Sequence, residues 1–315
     1  MTERLPQALG IDVGGTKINA VRIDADGLVH AREILATPAD DTDATLDAIV
    51  GALRAVHDER VVAVGVGAAG LVEARTGILR YAPNLAWRDV PLAKLVESAL
   101  DLPVVVDNDC SAAAYGEYRL GAARGHRHAL YVGVGTGIGG GIVVDGRIDR
   151  GAHGFAGEIG HMIVERDGPR CGCGNEGCWE TVASGSALAR EGRAAALLDA
   201  SLAARAGGDP EAVTGELVVQ AAREGDAAAA AIVARVGRRL GEGIAGLVNV
   251  FDPEIVVVGG GVARAADVLL PPVRAAVAET VEGGPYRPDV PIVPAALGPD
   301  AAAIGAGVMA LDEHA

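Results

Sequence analysis

A chain of 315 residues, half of them hydrophobic but only 3% aromatic, is long enough for two domains with separate cores built from Val, Ile, Leu and Ala. Its formal net charge of −15 argues against a nucleic-acid or membrane-surface partner and for a small one. The opening MTERLPQ is polar and lacks a signal core, and every apolar run is interrupted by Gly, Asp or Arg before it could span a bilayer, so a soluble, cytoplasmic protein is expected.

Residues 8–13 read as a buried strand, which Gly14-Gly15-Thr16-Lys17 turns into a second strand over 18–23. Consecutive backbone N–H groups in such a glycine turn form a concave anion site, and Thr16 adds a hydroxyl. Asp12 at the strand end can hold magnesium, directly or through water. Residues 42–59 form an amphipathic helix with Leu46, Ile49, Val50, Leu53 and Val56 on one stripe. Strands follow at 60–66 and, after Pro103, at 104–106. The second ends in Asp107-Asn108-Asp109, ahead of the helix-forming CSAAAYGEYRL. An Asp at a strand end beside a helix N-terminus suits a general base, and Asn108 can both donate to and accept from hydroxyls. Any one of the three is equally suited to cap the helix. Cys110 has no metal partner in sequence and reads as a small buried residue.

A further strand over 130–134 leads into Gly135-Thr136-Gly137-Ile138-Gly139-Gly140-Gly141 and then a strand over 142–144. Two units of strand, Gly/Thr turn and strand suggest a duplicated domain with a phosphate loop from each half. Next comes the densest stretch, residues 154–180, where Cys171, Cys173 and Cys178 lie in C-x-C-G-x-x-G-C with His161 upstream. Three thiolates and an imidazole can converge on one tetrahedral ion, and zinc suits that donor set. Four protein ligands make the ion structural, since no coordination position is left for a substrate. The alternative is free thiols, or a disulfide between two of them, on a surface loop; nothing suggests the oxidising compartment a disulfide needs, and clustered cysteines in a cytosolic chain usually bind metal. Ligands on both sides fix Glu158 and Glu180, carboxylates suited to accept from paired sugar hydroxyls, and His161 keeps a second ring nitrogen for the substrate.

Residues 206–210 are a short Gly-rich connection, and 229–250 form a long helix with Ile232, Val236, Leu240, Ile244 and Leu247 along one face. A buried strand over 255–258 precedes Gly259-Gly260-Gly261, which can accept a nucleoside or its phosphates. Strands alternating with helices imply an α/β fold with mostly parallel sheets covered on both sides.

Together Asp12-Val-Gly-Gly-Thr-Lys17, Asn108-Asp109, Gly135-Thr-Gly-Ile-Gly139, Gly157-Glu-Ile-Gly-His161 and the run from Cys171 to Glu180 resemble the ROK family of bacterial sugar kinases and repressors, over nearly the whole chain. The Cys171 to Glu180 run is the most specific part; its Trp-Glu ending, with Ala183-Ser184-Gly185, resembles the glucokinases of the family. The resemblance implies an actin-like (ribonuclease H-like) kinase fold of two α/β domains flanking a cleft. A smaller domain, 1–118, would be completed by the C-terminal helix 301–315, and a larger domain, 119–300, would carry the zinc knot. ATP with magnesium is the implied donor, glucose or a related hexose the acceptor, and a dimer or tetramer the usual assembly. Asp109 would take the proton of the sugar's 6-hydroxyl, while Asn84, Asn108, Glu158, His161 and Glu180 would bind the other hydroxyls. Asp12, Gly14, Gly15, Thr16, Lys17, Thr136, Gly137, Gly259, Gly260 and Gly261 would face the nucleotide and its magnesium. The family's zinc ligands fall on His161, Cys171, Cys173 and Cys178. The alternatives are a kinase for fructose, mannose, N-acetylglucosamine or N-acetylmannosamine, polyphosphate as donor, or a sugar-sensing regulator. Regulators of the family carry a helix-turn-helix domain ahead of the kinase-like body, whereas here the phosphate loop begins at Asp12.

Overall fold

A computed structural model describes residues 5–198 and 200–315. In chain order the elements are β1 (Gln7–Val13), β2 (Lys17–Asp24), β3 (Val29–Ala36), α1 (Thr42–Val56), β4 (Val61–Ala68), β5 (Leu71–Glu73), β6 (Ile78–Tyr81), β7 (Arg88–Val90), α2 (Leu92–Leu100), β8 (Val104–Asn108) and α3 (Asp109–Arg119). After these come β9 (Ala129–Val134), β10 (Ile138–Val144), β11 (Arg147–Ile148), α4 (Trp179–Ala183), α5 (Gly185–Ala196), α6 (Ala200–Arg205), α7 (Gly215–Arg223), α8 (Ala227–Phe251), β12 (Ile255–Gly259), α9 (Ala266–Thr280), β13 (Ile292–Pro294) and α10 (Ala301–His314). The chain divides into two compact units: one holds residues up to Tyr131, Gly140–Gly157 and Ala295–Ala315, the other Val132–Gly139 and Glu158–Pro294.

In the first unit the sheet order is β3-β2-β1-β4-β8. The tight turn after Val13 makes β1 and β2 antiparallel, closed by the Gly14 N–H donating to the Lys17 carbonyl at 3.1 Å. Longer crossovers make β1/β4 and β4/β8 parallel. Side chains alternate along β1: Leu9, Ile11 and Val13 pack with Ile49, Leu53 and Val56 of α1, whereas Ala8 packs with Ala310 and Leu311 of α10. The α10 face is built for close approach, because a Cβ at Gly10 would lie 1.9 Å from the Ala303 carbonyl oxygen and one at Gly65 1.8 Å from that of Ala306. Glu117, fully buried in α3, ties this end of the chain down by accepting from the N–H groups of Ala296 (3.0 Å) and Leu297 (2.8 Å).

The glycine run after β9 is shorter as a turn than its sequence suggests. β10 already begins at Ile138, so Gly139, Gly140 and Gly141 are strand residues and only 135–137 turn. The reason is local to α3: a Cβ at Gly141 would lie 2.6 Å from the Cys110 carbonyl oxygen. The helix expected over 42–59 also stops early, at Val56, where His57 turns extended.

In the second unit β12 pairs in parallel with β13, Val256 opposite Ile292. The expected 229–250 helix lies within α8, whose start is capped by Asp226 accepting from the Ala229 N–H at 3.0 Å. Trp179 is fully buried, lies against Gly243 of α8 and donates its indole N–H to the Arg239 carbonyl at 2.9 Å. That anchor fixes the end of the cysteine-rich loop to the longest helix of the unit. Among the described residues no helix is long and apolar enough to cross a membrane.

Candidate active site

Three polar residues at the end of β8 have three separate placements. Asp107 is buried, with 1% of its surface exposed; it accepts from the Asn108 N–H at 2.8 Å and from Arg150 Nε at 2.7 Å. Asn108 is the cap of α3: its Oδ1 accepts from the N–H groups of Cys110 (2.8 Å) and Ser111 (3.1 Å), and its Nδ2 donates to the Gly70 carbonyl at 3.2 Å. Asp109 follows as the first residue of α3, with Oδ1 accepting from the Cys110 N–H at 2.9 Å. Loss of surrounding water pushes its carboxyl above the ordinary value, against the lowering effect of hydrogen bonds from Cys110 and Asn108. Of the three, Asp109 is the one that neither caps α3 nor pairs with a cation among these bonds.

Asp12 sits at the end of β1 and is electrostatically coupled to Asp109. Its carboxyl is pushed up to about 7, first by burial and then by repulsion from Asp109, with Lys17 acting in the opposite sense and Asp300 adding to the repulsion. An enclosed pair of carboxylates with a single lysine opposing them fits a divalent cation held by oxygen ligands. In the adjoining turn Thr16 and Lys17 are exposed, and the Gly14 carbonyl is held by the Thr37 hydroxyl at 2.7 Å. Gly15 lies hard against Asn84, since a Cβ there would come within 2.7 Å of the Asn84 Cβ, so this turn and the exposed Asn84 form one surface.

In the second unit the cysteine loop is folded by its own backbone. Cys171 N–H donates to the Asn175 carbonyl at 2.8 Å, Val164 N–H to Gly177 at 2.9 Å and Trp179 N–H to Met162 at 2.8 Å. These bonds bring one donor atom each from His161, Cys171, Cys173 and Cys178 within 4.8 Å of one another. His161 Nδ1 lies 3.6 Å from Cys171 Sγ, and Cys173 Sγ lies 3.6 Å from Cys178 Sγ. With Zn–S of about 2.3 Å and Zn–N of about 2.1 Å, a tetrahedron has edges of about 3.6–3.8 Å, so the donor set fits structural zinc. Nδ1 faces the sulfurs, while Nε2 faces Glu158 Oε2 at 3.8 Å. Glu180 is shared between the cluster and a loop: Oε1 lies 2.9 Å from Cys171 Sγ and 3.7 Å from His161 Nδ1, while Oε2 accepts from the Ile138 N–H at 3.3 Å.

That loop is the 135–137 turn, and the remaining glycines gather around it. Thr136 is exposed, and the carbonyls of Gly135 and Thr136 accept from the N–H groups of Gly185 (2.8 Å) and Ser186 (3.4 Å) at the start of α5. In the Gly259 cluster, Gly260 has φ +79° and no room for a side chain, because a Cβ would lie 2.5 Å from the Val134 carbonyl oxygen. Thr136, Gly137, Gly259, Gly260 and Gly261 therefore share one neighbourhood. One contributor escapes the sequence reading. Arg150 pairs with a residue 43 positions away, and no local pattern marks it. Ser184, named in the sequence only as part of Ala183-Ser184-Gly185, is buried and caps α5 beside the Gly135 turn by accepting from Ala187 N–H at 3.4 Å; a Ser directly ahead of a helical run is the signal for that role.

The ROK family model matches residues 8–313 of this chain. The glucokinase of Streptomyces coelicolor is 40% identical over 307 residues, covering 96% of each chain. That of Halalkalibacterium halodurans is 37% identical over 313 residues, covering 95% of this chain and 93% of its own. Among solved structures, a ROK family glucokinase from Streptomyces griseus in complex with glucose and AMPPNP superposes with a TM-score of 0.91 at 40% identity, over 97% of this chain and 99% of that one.

Proposed function

The chain belongs to the ROK family, and from that premise we infer that it is a glucokinase, transferring the γ-phosphoryl group of ATP to the 6-hydroxyl of glucose. Its fold is the actin-like kinase fold of that family's solved structures. The observation that carries the reading is near-full-length similarity to glucokinases, joined to an ordered knot that holds Glu158, His161 and Glu180 together.

Phosphoryl transfer needs positioning and charge stabilisation more than covalent help. Asp109 orients the 6-hydroxyl and takes its proton as the new O–P bond forms. Its upward-shifted pKa brings it nearer the working pH, where a general base combines ionisation with proton affinity. Asn84, Asn108, Glu158, Glu180 and His161 Nε2 bind the other hydroxyls. A buried polar group left unmatched by the wrong sugar is costly, which gives these contacts their discriminating power. Gly14, Gly15, Thr16 and Lys17 in one turn, Thr136 and Gly137 in another, and Gly259, Gly260 and Gly261 serve the nucleotide. Asp12 would hold magnesium, which supplies positive charge to the phosphate oxygens. His161, Cys171, Cys173 and Cys178 would hold zinc as a scaffold, outside the chemistry.

The test is a coupled assay with ATP and magnesium against glucose, mannose, fructose, N-acetylglucosamine and N-acetylmannosamine, with polyphosphate as an alternative donor. Glucose with ATP is expected to give the highest kcat/KM. Preference for an N-acetyl sugar or for polyphosphate would replace that part of the reading; no turnover with any pair would overturn the kinase reading itself.

A further inference from the structure

We propose that Arg150 is a positioning residue for phosphoryl transfer: through its ion pair with Asp107 it fixes the strand-to-helix corner that presents Asp109. This rests on the glucokinase reading above.

Asp107 is the last buried residue of β8, in register with Gly67 of β4, and both of its oxygens are committed. Oδ1 accepts from the N–H of Asn108, and Oδ2 accepts from Arg150 Nε. The next residue is fixed as well, with Asn108 holding two helix N–H groups and the Gly70 carbonyl. Asp109 is thus attached by one peptide to a corner with no slack in it. Arg150 is itself anchored, its carbonyl accepting from the Ala156 N–H at 3.1 Å. A buried carboxylate is tolerated when a cation pairs with it, and removing only the cation leaves an uncompensated charge. Without Arg150, Asp107 takes up a proton or admits water. Either change weakens its hold on the Asn108 N–H and lets Asp109 drift.

Among the described residues no neighbouring arginine or lysine is placed to substitute. Arg75 and Arg80 line the same cavity as Arg150, but Arg80 is paired with Glu73 (2.5 Å) and Asp89 (2.9 Å), and Arg75 with Glu73 (3.5 Å). That cavity, of about 410 Å³, also makes Arg150 reachable from solvent, with 36% of its side chain exposed. A small guanidinium ion can therefore enter and occupy the vacated place.

The experiment measures kcat and KM for glucose and ATP in the wild type, Arg150→Ala, Arg150→Lys, Asp107→Asn and the double variant Arg150→Ala/Asp107→Asn, with and without dilute guanidinium chloride. Misplacement of about 1 Å can cost about 100-fold in rate, so kcat of Arg150→Ala is expected to fall by about ten- to a hundredfold, with both KM values within about threefold. Arg150→Lys should lie between it and the wild type. Guanidinium should restore part of the kcat of Arg150→Ala but not of the double variant, and the double variant should be no slower than its slower parent. An unchanged kcat, a change confined to KM, or losses that multiply in the double variant without rescue would overturn the proposal. If Arg150→Ala fails to fold, the kcat and KM of Arg150→Lys decide by the same criteria. Wild-type turnover of glucose beside an unaffected variant removes the positioning role alone; absence of wild-type turnover with any hexose removes the glucokinase reading and this proposal with it.

Discussion

Asp109 and Asp12 are chemically identical side chains in one enclosed region, and their burial sets two separate expectations. Asp109→Asn keeps the volume and an oxygen for the Cys110 N–H but removes the base. A general base contributes about 10²- to 10⁴-fold, so glucose turnover should fall by that factor, while the affinity for glucose, read by calorimetry, stays within a few fold. Because the pKa of Asp109 is raised, the wild-type kcat should decline as the pH falls through that raised value, where the base becomes protonated. For Asp12 the readout is stability. Its carboxyl moves from 3.8 to about 7, so between those values the folded chain binds a proton that the unfolded chain releases. The favourable contribution is complete below pH 3.8 and is lost as the pH rises through about 7. At 1.36 kcal/mol per unit the loss approaches about 4 kcal/mol. Urea denaturation of wild type and Asp12→Asn at pH 5 and pH 8, in magnesium-free buffer, should show the wild type losing stability relative to the variant; parallel behaviour of the two proteins would contradict this placement of Asp12.

At the scale of elements, the cysteine loop and the β8–α3 corner were unequally legible in the sequence. The loop is self-contained: His161, Cys171, Cys173 and Cys178 close on one another through backbone bonds within the same stretch, so spacing alone identified the donor set. The corner showed its residue types but not their division of labour. Whether Asp107, Asn108 or Asp109 caps α3 depends on Arg150, which arrives from 43 residues away and claims Asp107. The glycine run 135–141 was misjudged for a related reason, since closeness to Cys110 on another element, rather than turn geometry, accounts for Gly141. Cys178→Ser should lower bound zinc, measured by mass spectrometry of the purified protein, to well below one per chain and reduce the unfolding temperature. It should also raise KM for glucose more than it lowers kcat, because the knot holds Glu158, His161 and Glu180 and not Asp109. A variant with full zinc occupancy and unchanged KM would show that the knot does not set the sugar contacts.

For the molecule as a whole, the first unit is not continuous in sequence, and its integrity depends on the last element of the chain. α10 presents Ala303, Ile304, Val308, Met309 and Leu311 to the sheet and to α3, all buried; Gly10 and Gly65 of the sheet let its backbone lie against theirs, and its own Gly305 lets it lie against Ala112 of α3. Periodicity could not reveal this role, because a helix buried on nearly every face has no polar stripe and its partners lie near the other end of the sequence. Losing a single large buried aliphatic side chain costs about 2–5 kcal/mol. Four of them lost together match or exceed the total stability of a typical domain, about 5–15 kcal/mol. Ending the chain after Asp300 should therefore unfold the first unit instead of merely loosening it. Limited proteolysis is the direct measurement: cleavage should spread through β1–β4 in the truncated protein while the second unit, which contains no residue of α10, remains resistant when zinc is present. Resistance of both units would show that the sheet can cover its second face without α10, and cleavage throughout would show that the second unit does not stand by itself.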